Sequence, residues 1–310
     1  MRCVVIGGGG FIGRHVTRLL AETGRVVTVV GRRSEPPADL PSGCQYVCGD
    51  YGNSDILDTL LAKDMEVVDL AYATVPKTSY GDPVFDLLSN VPPGVGLLQA
   101  ALKAKVRRVL VVSSGGTVYG MAGKIPIQED HSTSPLSPYG ITKLTVDLYA
   151  MMFHRTRDLP VLVTRPANAY GEEQRARQGQ GFIAAATDAI LHGRPVEIYG
   201  QEGTVRDYIH VADVAAGIVA ALNCGADGEI YNIGTGVGTT NDAILSLLEP
   251  LAAVAGLAVA RRHLEPRHFD VPVNVLDSGK LTARSGWQPT VSLIEGLRRV
   301  WVNAQSLALK

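Results

Sequence analysis

Tyr139 and Lys143 are the two residues whose types and spacing most directly indicate chemistry in this sequence. They lie in a segment that Ser137 and Pro138 start as a helix, because serine caps helix N-termini and proline fits the first turn. Residues four apart share one face of a helix. The tyrosine side chain has a pKa of about 10, and a nearby ammonium group favours the phenolate. The pair is therefore a candidate for moving a proton to and from a substrate hydroxyl.

Hydroxyl side chains precede this helix, directly after the apolar segment 108–112. Ser113, Ser114 and Thr117 occupy this position. A nearly unbroken apolar run is typical of a parallel strand buried on both faces, and ligands bind where such strands end. We expect one of these hydroxyls to position the substrate oxygen beside Tyr139. A tyrosine–lysine pair alone also occurs on ordinary exposed helices, so the hydroxyl cluster is what favours catalysis.

Glycines at positions 7, 10 and 13 connect a short apolar strand to an amphipathic helix. This spacing allows a tight turn, close approach of the backbone to a pyrophosphate, and close packing of helix on strand. The N–H groups at the start of the helix would face the phosphates. The alternative is a glycine-rich turn without a ligand, but the flanking strand and helix favour a dinucleotide site.

The end of the second predicted strand, 26–30, bears on which dinucleotide is bound. An acidic residue there would accept hydrogen bonds from a free ribose 2′-hydroxyl, and the sequence has Gly31 instead. Arg32 and Arg33 follow, and guanidinium groups can pair with a 2′-phosphate, which favours NADP. The equally weighted alternative is that both arginines are solvated loop residues.

Further cofactor contacts are expected at the ends of the next strands. Asp50 can reach the adenine, although a turn aspartate without a ligand is nearly as compatible. Small residues after the fourth strand leave room for the cofactor. The full set that we assign to the cofactor is Gly7, Gly10, Phe11, Ile12, Gly13, Arg32, Arg33, Asp50, Tyr51, Leu70, Ala71, Ala73, Ser113, Tyr139, Lys143 and Pro166.

Strand and helix patterns alternate five times by residue 112, which predicts an α/β fold with a doubly wound parallel sheet. A helix is expected over about 84–103, with its middle disturbed by Pro92 and Pro93. The ligand crevice of such a sheet lies at the carboxyl ends of its strands.

Composition excludes several classes of protein. The chain has 310 residues and a net charge of −1, with no polybasic tail, so neither nucleic acid nor a membrane is an expected partner. Neither a signal peptide nor a membrane span is predicted. The four cysteines have no paired metal-ligand spacing, and reduced thiols in a cytoplasmic protein are the simplest explanation.

These motifs together resemble the extended short-chain dehydrogenases/reductases that act on nucleotide sugars, a family whose best-known member is UDP-glucose 4-epimerase. The resemblance covers essentially the whole chain. Beyond the glycine turn, the hydroxyl cluster and the Tyr139–Lys143 pair, it rests on the segments 165–171, 205–214, 231–234 and 286–289.

The resemblance implies a role for each matching position. Tyr139 is the acid/base, Lys143 its electrostatic partner and a ribose ligand, and Thr117 or Ser114 the substrate hydroxyl contact. The sugar nucleotide would be held by Asn168, Arg206, Arg267 and Asp270, with the arginines nearest the diphosphate. It also implies a homodimer. A Rossmann-type NAD(P)-binding domain would comprise 1–170 and 206–245, and a smaller α/β substrate lobe 171–205 and 246–310.

Two departures from the family pattern matter. Gly115 replaces the usual serine or threonine, so Ser114 or Thr117 must serve instead. Gly116 and Thr117 stand where dehydrating members carry an Asp-Glu pair and decarboxylating members a glutamate, which argues against both activities. The favoured function is a UDP-hexose-type 4-epimerase working through a transient 4-keto sugar. The alternatives are an NADP-dependent 4-keto nucleotide-sugar reductase and a non-catalytic dinucleotide sensor. The resemblance favours NAD, and residues 31–33 favour NADP.

Overall fold

A computed structural model describes residues 1–174, 181–266 and 270–308. The strands are β1 (Arg2–Ile6), β2 (Val26–Gly31), β3 (Gln45–Cys48), β4 (Glu66–Asp69), β5 (Arg108–Val112), β6 (Val161–Pro166), β7 (Asn168–Tyr170), β8 (Val196–Tyr199), β9 (Val205–His210), β10 (Ile230–Ile233), β11 (Gly238–Thr240), β12 (Arg261–Leu264) and β13 (Val273–Asn274). The helices are α1 (Phe11–Glu22), α2 (Ser54–Leu60), α3 (Pro76–Ser79), α4 (Pro83–Ala104), α5 (Gly115–Val118), α6 (Pro138–Arg157), α7 (Phe182–Leu191), α8 (Val211–Cys224), α9 (Asn241–Val254), α10 (Gly279–Ser285) and α11 (Leu293–Ala308).

The largest sheet has the strand order β10-β6-β5-β4-β1-β2-β3, and each neighbouring pair is parallel. Its order reverses between β1 and β4, so the crossover helices cover opposite faces on the two sides of this point. Ligands of doubly wound sheets bind at such a switch point, outside the carboxyl ends of the strands. The predicted fold class, a Rossmann-type α/β sheet, is therefore confirmed.

Alternate residues of the central strands face two separate cores. Cys3 and Val5 of β1 pack in one hydrophobic core, and Val4 and Ile6 pack in the other. Because side chains alternate along a strand, a sheet covered on both faces needs apolar residues at every position. This explains why the strand segments are continuous apolar runs.

Helix α4 differs from its sequence-based prediction. It continues without a break through Pro92 and Pro93. Each proline removes one backbone hydrogen bond, but α4 packs along α6, and Gly94 lets it approach Val146 of that helix closely. Tertiary packing therefore overrides the local helix-breaking tendency.

A smaller unit forms around β9, which pairs with β7, β11 and β13, and beside it β8 pairs with β12. Its core contains side chains from α7, α9 and α11. Leu281 and Trp287, which the sequence analysis places with the substrate lobe, pack instead in the core of the large sheet. Within the described residues, no helix has both the length and the apolar character needed to cross a membrane.

Candidate active site

A cleft of about 760 Å³ opens at the switch point of the large sheet. It brings together most of the residues assigned to the cofactor, although they come from four different strand ends. Those that line it are Gly7, Gly10, Arg32, Arg33, Asp50, Tyr51, Leu70, Ala71 and Ala73. Of the seven remaining candidates, Phe11, Ile12, Ser113, Tyr139 and Pro166 line a second cavity that lies beside it, whereas Gly13 and Lys143 line neither.

The glycine turn has no room for side chains. Gly7 has φ +77°, and a Cβ there would lie 2.9 Å from the backbone nitrogen of Ala71. A Cβ on Gly13 would lie 2.2 Å from the carbonyl oxygen of Gly7. Because the backbone itself forms the wall here, a pyrophosphate can approach the N–H groups at the start of α1. This cradle fits a dinucleotide.

The second cavity, of about 390 Å³, lies between the large sheet and the smaller unit. It gathers the residues that the sequence analysis assigns to catalysis and to the substrate. Those that line it are Ser114, Thr117, Tyr139, Asn168, Arg206 and Asp270. The predicted substrate ligand Arg267 lies outside the described residues.

Helix α6 positions the tyrosine and lysine. Ser137 caps this helix, because its Oγ accepts a hydrogen bond from the backbone N–H of Gly140 at 3.0 Å. Lys143 is buried, with its Nζ donating to the carbonyl oxygen of Val112 at 2.8 Å and lying 5.9 Å from the ring centre of Tyr139. Ser114 lines the same cavity as Tyr139, and its side chain opposes the rise in the pKa of Tyr139. The predicted helix start and the shared helix face are both present.

A second tyrosine, Tyr72, lies against this pair and was missed by sequence reasoning. Its ring centre is 4.0 Å from Nζ of Lys143 and 4.9 Å from the ring centre of Tyr139. Its hydroxyl is hydrogen-bonded to Thr142, which donates to the fully buried Asp86 at 2.7 Å. A bulky aromatic residue within a run of small ones, 71–73, is the signal that could have revealed it.

Burial changes the proton affinities of the groups around Lys143. Removal from water lowers the pKa of Lys143 to about 8, although the negative charges of Asp69, Asp147 and Asp86 oppose the change. Burial also raises the pKa of Asp69 to about 6 and raises the pKa of Tyr139. Lys143 therefore holds its charge at neutral pH through these carboxylates, and Tyr139 is a neutral phenol before a ligand binds.

An ion pair behind the site supports its geometry. Arg165 of β6 donates through Nε to Oδ2 of Asp147 at 3.0 Å, and the side chains are 3% and 2% exposed. The same oxygen accepts a hydrogen bond from Ser113 at 2.9 Å, and the guanidinium lies 5.0 Å from the ring centre of Tyr119. Ser113 is thereby committed to a structural contact. Sequence reasoning missed Asp147, although it follows Lys143 by one helical turn.

The structure distinguishes the hydroxyls that could replace the missing serine or threonine at Gly115. A Cβ on Gly115 would lie 2.4 Å from Cδ1 of Leu276 and 2.9 Å from the carbonyl oxygen of Arg165, so no side chain fits there. Ser114 is close enough to Tyr139 for its side chain to lower the pKa of the phenol. The hydroxyl of Thr117 is buried, and no partner for it lies within the described ranges. Ser114 is the better placed to act with Tyr139, and Thr117 has a free hydrogen-bonding capacity beside the cavity.

Arg206 is the cation of the substrate cavity. It is half-buried, and its guanidinium donates to the backbone carbonyls of Val205 at 2.9 Å and Pro272 at 3.5 Å. Desolvation lowers its pKa, with the charge of Asp270 opposing the change. In the part of the chain that the structure describes, no carboxylate forms an ion pair with it. Such a guanidinium is suited to binding phosphate oxygens.

Comparison with known proteins agrees with this architecture. The family model described as "NAD dependent epimerase/dehydratase family" matches residues 3–234. The chain is 36% identical to UDP-glucose 4-epimerase of Mycolicibacterium smegmatis, covering 96% of this chain and 97% of that protein. It is 31% identical to a dTDP-glucose 4,6-dehydratase of an Actinoplanes species, covering 96% and 95%.

Among solved structures, UDP-glucose 4-epimerase with UDP-glucose from Thermotoga maritima superposes with a TM-score of 0.91 at 32% identity, covering 99% of this chain and 100% of that one. The Thermus thermophilus UDP-glucose 4-epimerase complex with NAD gives a TM-score of 0.89 at 30% identity, with 98% and 99% covered. The coverage is nearly complete on both sides, and the predicted resemblance is confirmed. The chain is a member of the NAD-dependent epimerase/dehydratase family, the extended short-chain dehydrogenases/reductases that act on nucleotide sugars.

Proposed function

We propose that this protein is a 4-epimerase of a UDP-hexose or a closely related nucleotide sugar. The observation that carries the proposal is that Tyr139 and Ser114 line the substrate cavity together, with the buried cation of Lys143 one helical turn from Tyr139. This arrangement can remove a proton from a sugar hydroxyl and return it. The proposal also draws on the relatives named UDP-glucose 4-epimerase.

In the proposed reaction Tyr139 ionises once the ligands are bound, because the charge of Lys143 stabilises its phenolate. The phenolate accepts the proton of the substrate's O4 while Ser114 holds that oxygen in line. A nicotinamide held by the residues of the neighbouring cleft would supply reversible hydride acceptance at C4. Arg206 and Asn168 hold the nucleotide end, so that the 4-keto sugar can rotate within the cavity. C4 then takes the hydride back on its opposite face and O4 takes the proton back from Tyr139, which completes the inversion.

The charge distribution of the cavity favours epimerisation over dehydration. Elimination of a C6 hydroxyl needs an acid and a base near C5 and C6. Of the described residues that line the substrate cavity, Asp270 is the one carboxylate, and residues 116 and 117 contribute none. A relative named dTDP-glucose 4,6-dehydratase is 31% identical to this chain, so overall similarity alone does not separate the two reactions. The presence of one carboxylate among the described residues of the cavity is what supports epimerisation over dehydration.

The second candidate is reduction of a 4-keto nucleotide sugar with NADPH. The specific observation in its favour is that Arg32 and Arg33 line the cofactor cleft. A relative named dTDP-4-dehydro-6-deoxyglucose reductase is 27% identical to this chain. A reductase consumes cofactor in every turnover, whereas an epimerase regenerates it.

The test supplies purified protein with UDP-glucose or UDP-N-acetylglucosamine and follows the C4 epimer by chromatography or NMR. We expect interconversion without a net change in absorbance at 340 nm, the wavelength at which the reduced nicotinamide ring absorbs. Failure with both pairs, together with stoichiometric NADPH consumption on a 4-keto nucleotide sugar, would establish the reductase instead.

Replacing Ser114 with alanine is expected to lower kcat about 10²-fold, because the transition state loses the hydroxyl that contacts both Tyr139 and the substrate oxygen. Thr117→Val removes a hydroxyl without such a contact and is expected to change kcat by about 10-fold at most. Steady-state kinetics of the two variants would show which residue replaces the missing Ser/Thr. A larger loss in the Thr117 variant would reverse the assignment.

The rise of activity with pH is expected to end at about pH 8. Burial lowers the pKa of Lys143 to about 8, so above this pH the lysine loses the charge that stabilises the Tyr139 phenolate, and this loss offsets the further ionisation of the tyrosine. The profile of kcat/KM reports groups of the free enzyme and should level off there. A kcat/KM that keeps rising from pH 8 to pH 10 would contradict the role of Lys143.

We also propose that the protein is a cytoplasmic homodimer that pairs through α4 and α6. These helices pack together and expose apolar side chains, including Val84 and Leu87 on α4 and Ile141, Leu148 and Met152 on α6. Two copies related by a two-fold axis would bury the same surface on each. Light scattering should give twice the chain mass, and Leu148→Glu should give monomers. The free cysteines are consistent with a reducing compartment.

A further inference from the structure

We infer that Arg32 and Arg33, at the end of β2, form a binding site for the 2′-phosphate of NADP, so that this chain prefers NADP(H) to NAD(H). The inference rests on the proposed dinucleotide cleft. It deepens that proposal because it names NADP as the cofactor, whereas the family description names NAD. Three independent features of the described residues support it.

The first feature is steric. Gly31 ends β2, where the adenosine ribose is held in a doubly wound sheet. A Cβ on Gly31 would lie 2.9 Å from the hydroxyl oxygen of Tyr46 on the neighbouring strand. An aspartate or glutamate therefore cannot occupy this position without displacing that tyrosine. Position 31 therefore supplies no carboxylate that would hydrogen-bond a free 2′-hydroxyl or repel a phosphate.

The second feature is that the loop carrying the arginines is anchored. The hydroxyl of Tyr46 donates to the carbonyl oxygen of Arg33 at 2.8 Å. Farther along, the buried ring of Pro37 packs over the glycine turn, because a Cβ on Gly9 would lie 2.8 Å from it. Both anchors hold the loop against the cleft. The side chains of both arginines are exposed, but their loop is held at the rim of the cavity. A loop whose arginines are merely solvated would not need such anchors.

The third feature is the charge at this corner. Arg14 and Arg18 have Asp39 within 3.4 Å and 3.7 Å. Arg32 and Arg33, by contrast, form no ion pair with any carboxylate in residues 1–174, 181–266 or 270–308. Their donors are available, and paired guanidinium groups match the oxygens of a phosphate dianion.

Asp50 is the one carboxylate among the described residues that line the cleft. Asp50 follows β3, and its Oδ1 accepts a hydrogen bond from the backbone N–H of Gly52 at 2.9 Å. This bond occupies one oxygen of the carboxylate within its own loop, and the sequence analysis assigns Asp50 to the adenine. Within the described residues Asp50 forms no ion pair with Arg32 or Arg33, so both guanidinium groups keep their donors for a phosphate.

The test compares two probes that contain only the adenosine part of the cofactors, adenosine 2′,5′-bisphosphate and 5′-AMP. Protein treated with charcoal to remove nucleotide is titrated with each by calorimetry. We expect the bisphosphate to bind about 10-fold to 100-fold more tightly, the size of one or two charge-assisted hydrogen bonds. Arg32→Ala with Arg33→Ala should abolish this preference and leave the affinity for 5′-AMP unchanged. The preference should also weaken with salt.

A matched control is Arg107→Ala, which removes an exposed arginine just before β5, at the amino ends of the strands and so at the end of the sheet opposite the cleft. It should leave the preference intact. Equal binding of the two probes, or a preference that survives in the double variant, would overturn the inference. So would NAD, and not NADP, among the nucleotides released from freshly purified protein.

The outcomes separate this inference from the proposed function. Epimerisation supported by NAD alone would refute the 2′-phosphate site and leave the epimerase assignment standing. A clear preference for the bisphosphate probe in a protein that interconverts no sugar pair would support the site and refute the epimerase. The binding measurements need no sugar substrate, so they do not depend on the catalytic assignment.

Discussion

Changing Tyr139 to phenylalanine is expected to lower kcat by about 10²–10⁴-fold, because the variant retains the ring but loses the group that transfers the proton. The ring packs edge-on against Tyr72, so the substitution keeps this contact and the shape of the cavity. KM should change little if the hydroxyl acts mainly in the transition state. Steady-state kinetics with the sugar pair that shows the fastest turnover would measure the effect.

Two other tyrosines provide controls. Tyr149→Phe removes the hydroxyl of a tyrosine that is 39% exposed on the same helix, and kcat should not change. Tyr72→Phe removes the other phenol next to Lys143 and its bond with Thr142, which should disturb the position of Lys143 without removing the proton-transfer group. If Tyr72→Phe lost as much activity as Tyr139→Phe, the assignment of Tyr139 as the sole acid/base would be wrong.

Changing Asp147 to asparagine is expected to cost about 3–5 kcal/mol in the free energy of unfolding. Asp147 and Arg165 are both nearly inaccessible to water, and the carboxylate also accepts from Ser113. The substitution keeps the shape but leaves the guanidinium of Arg165 buried without its counter-charge. Urea denaturation followed by the fluorescence of the buried Trp287 and Trp301 would measure the change.

A double variant tests the physical reason. Asp147→Leu combined with Arg165→Met replaces both charges with apolar groups of similar size, and such replacements of buried ion pairs are often neutral. It should recover most of the stability that Asp147→Asn loses. If the double variant were as unstable as the single one, the cost would come from packing or from Ser113 and not from an unpaired charge.

Local patterns in the sequence were sufficient to predict the features that lie within a single helix or turn. The helix face shared by Tyr139 and Lys143 follows from a four-residue spacing, and the turn at residues 7–13 follows from its glycines. The fold class follows from the alternation of strands and helices. In each case the positions are close in the chain, so the backbone geometry of a single turn or helix determines their arrangement.

Contacts between distant elements could not be predicted in the same way. Tyr72 and Lys143 are 71 positions apart in the sequence. They meet because Tyr72 follows β4, and Nζ of Lys143 binds Val112 at the end of the neighbouring strand β5. The uninterrupted course of α4 through Pro92 depends on packing against α6, and the position of Trp287 depends on which core receives α10. Tertiary packing decides these outcomes, and the short-range periodicity of the sequence carries no information about it.

Arg206 illustrates a conflict between the stability of the empty protein and the binding of an anion. Arg206 is half-buried, and its hydrogen-bond acceptors among the described residues are backbone carbonyls, so it is less well solvated than in water and its pKa is lowered. An apolar residue there would make the empty protein more stable and less able to hold an anion. Variants selected for heat resistance alone, with no requirement for turnover, are therefore expected to lose this arginine early.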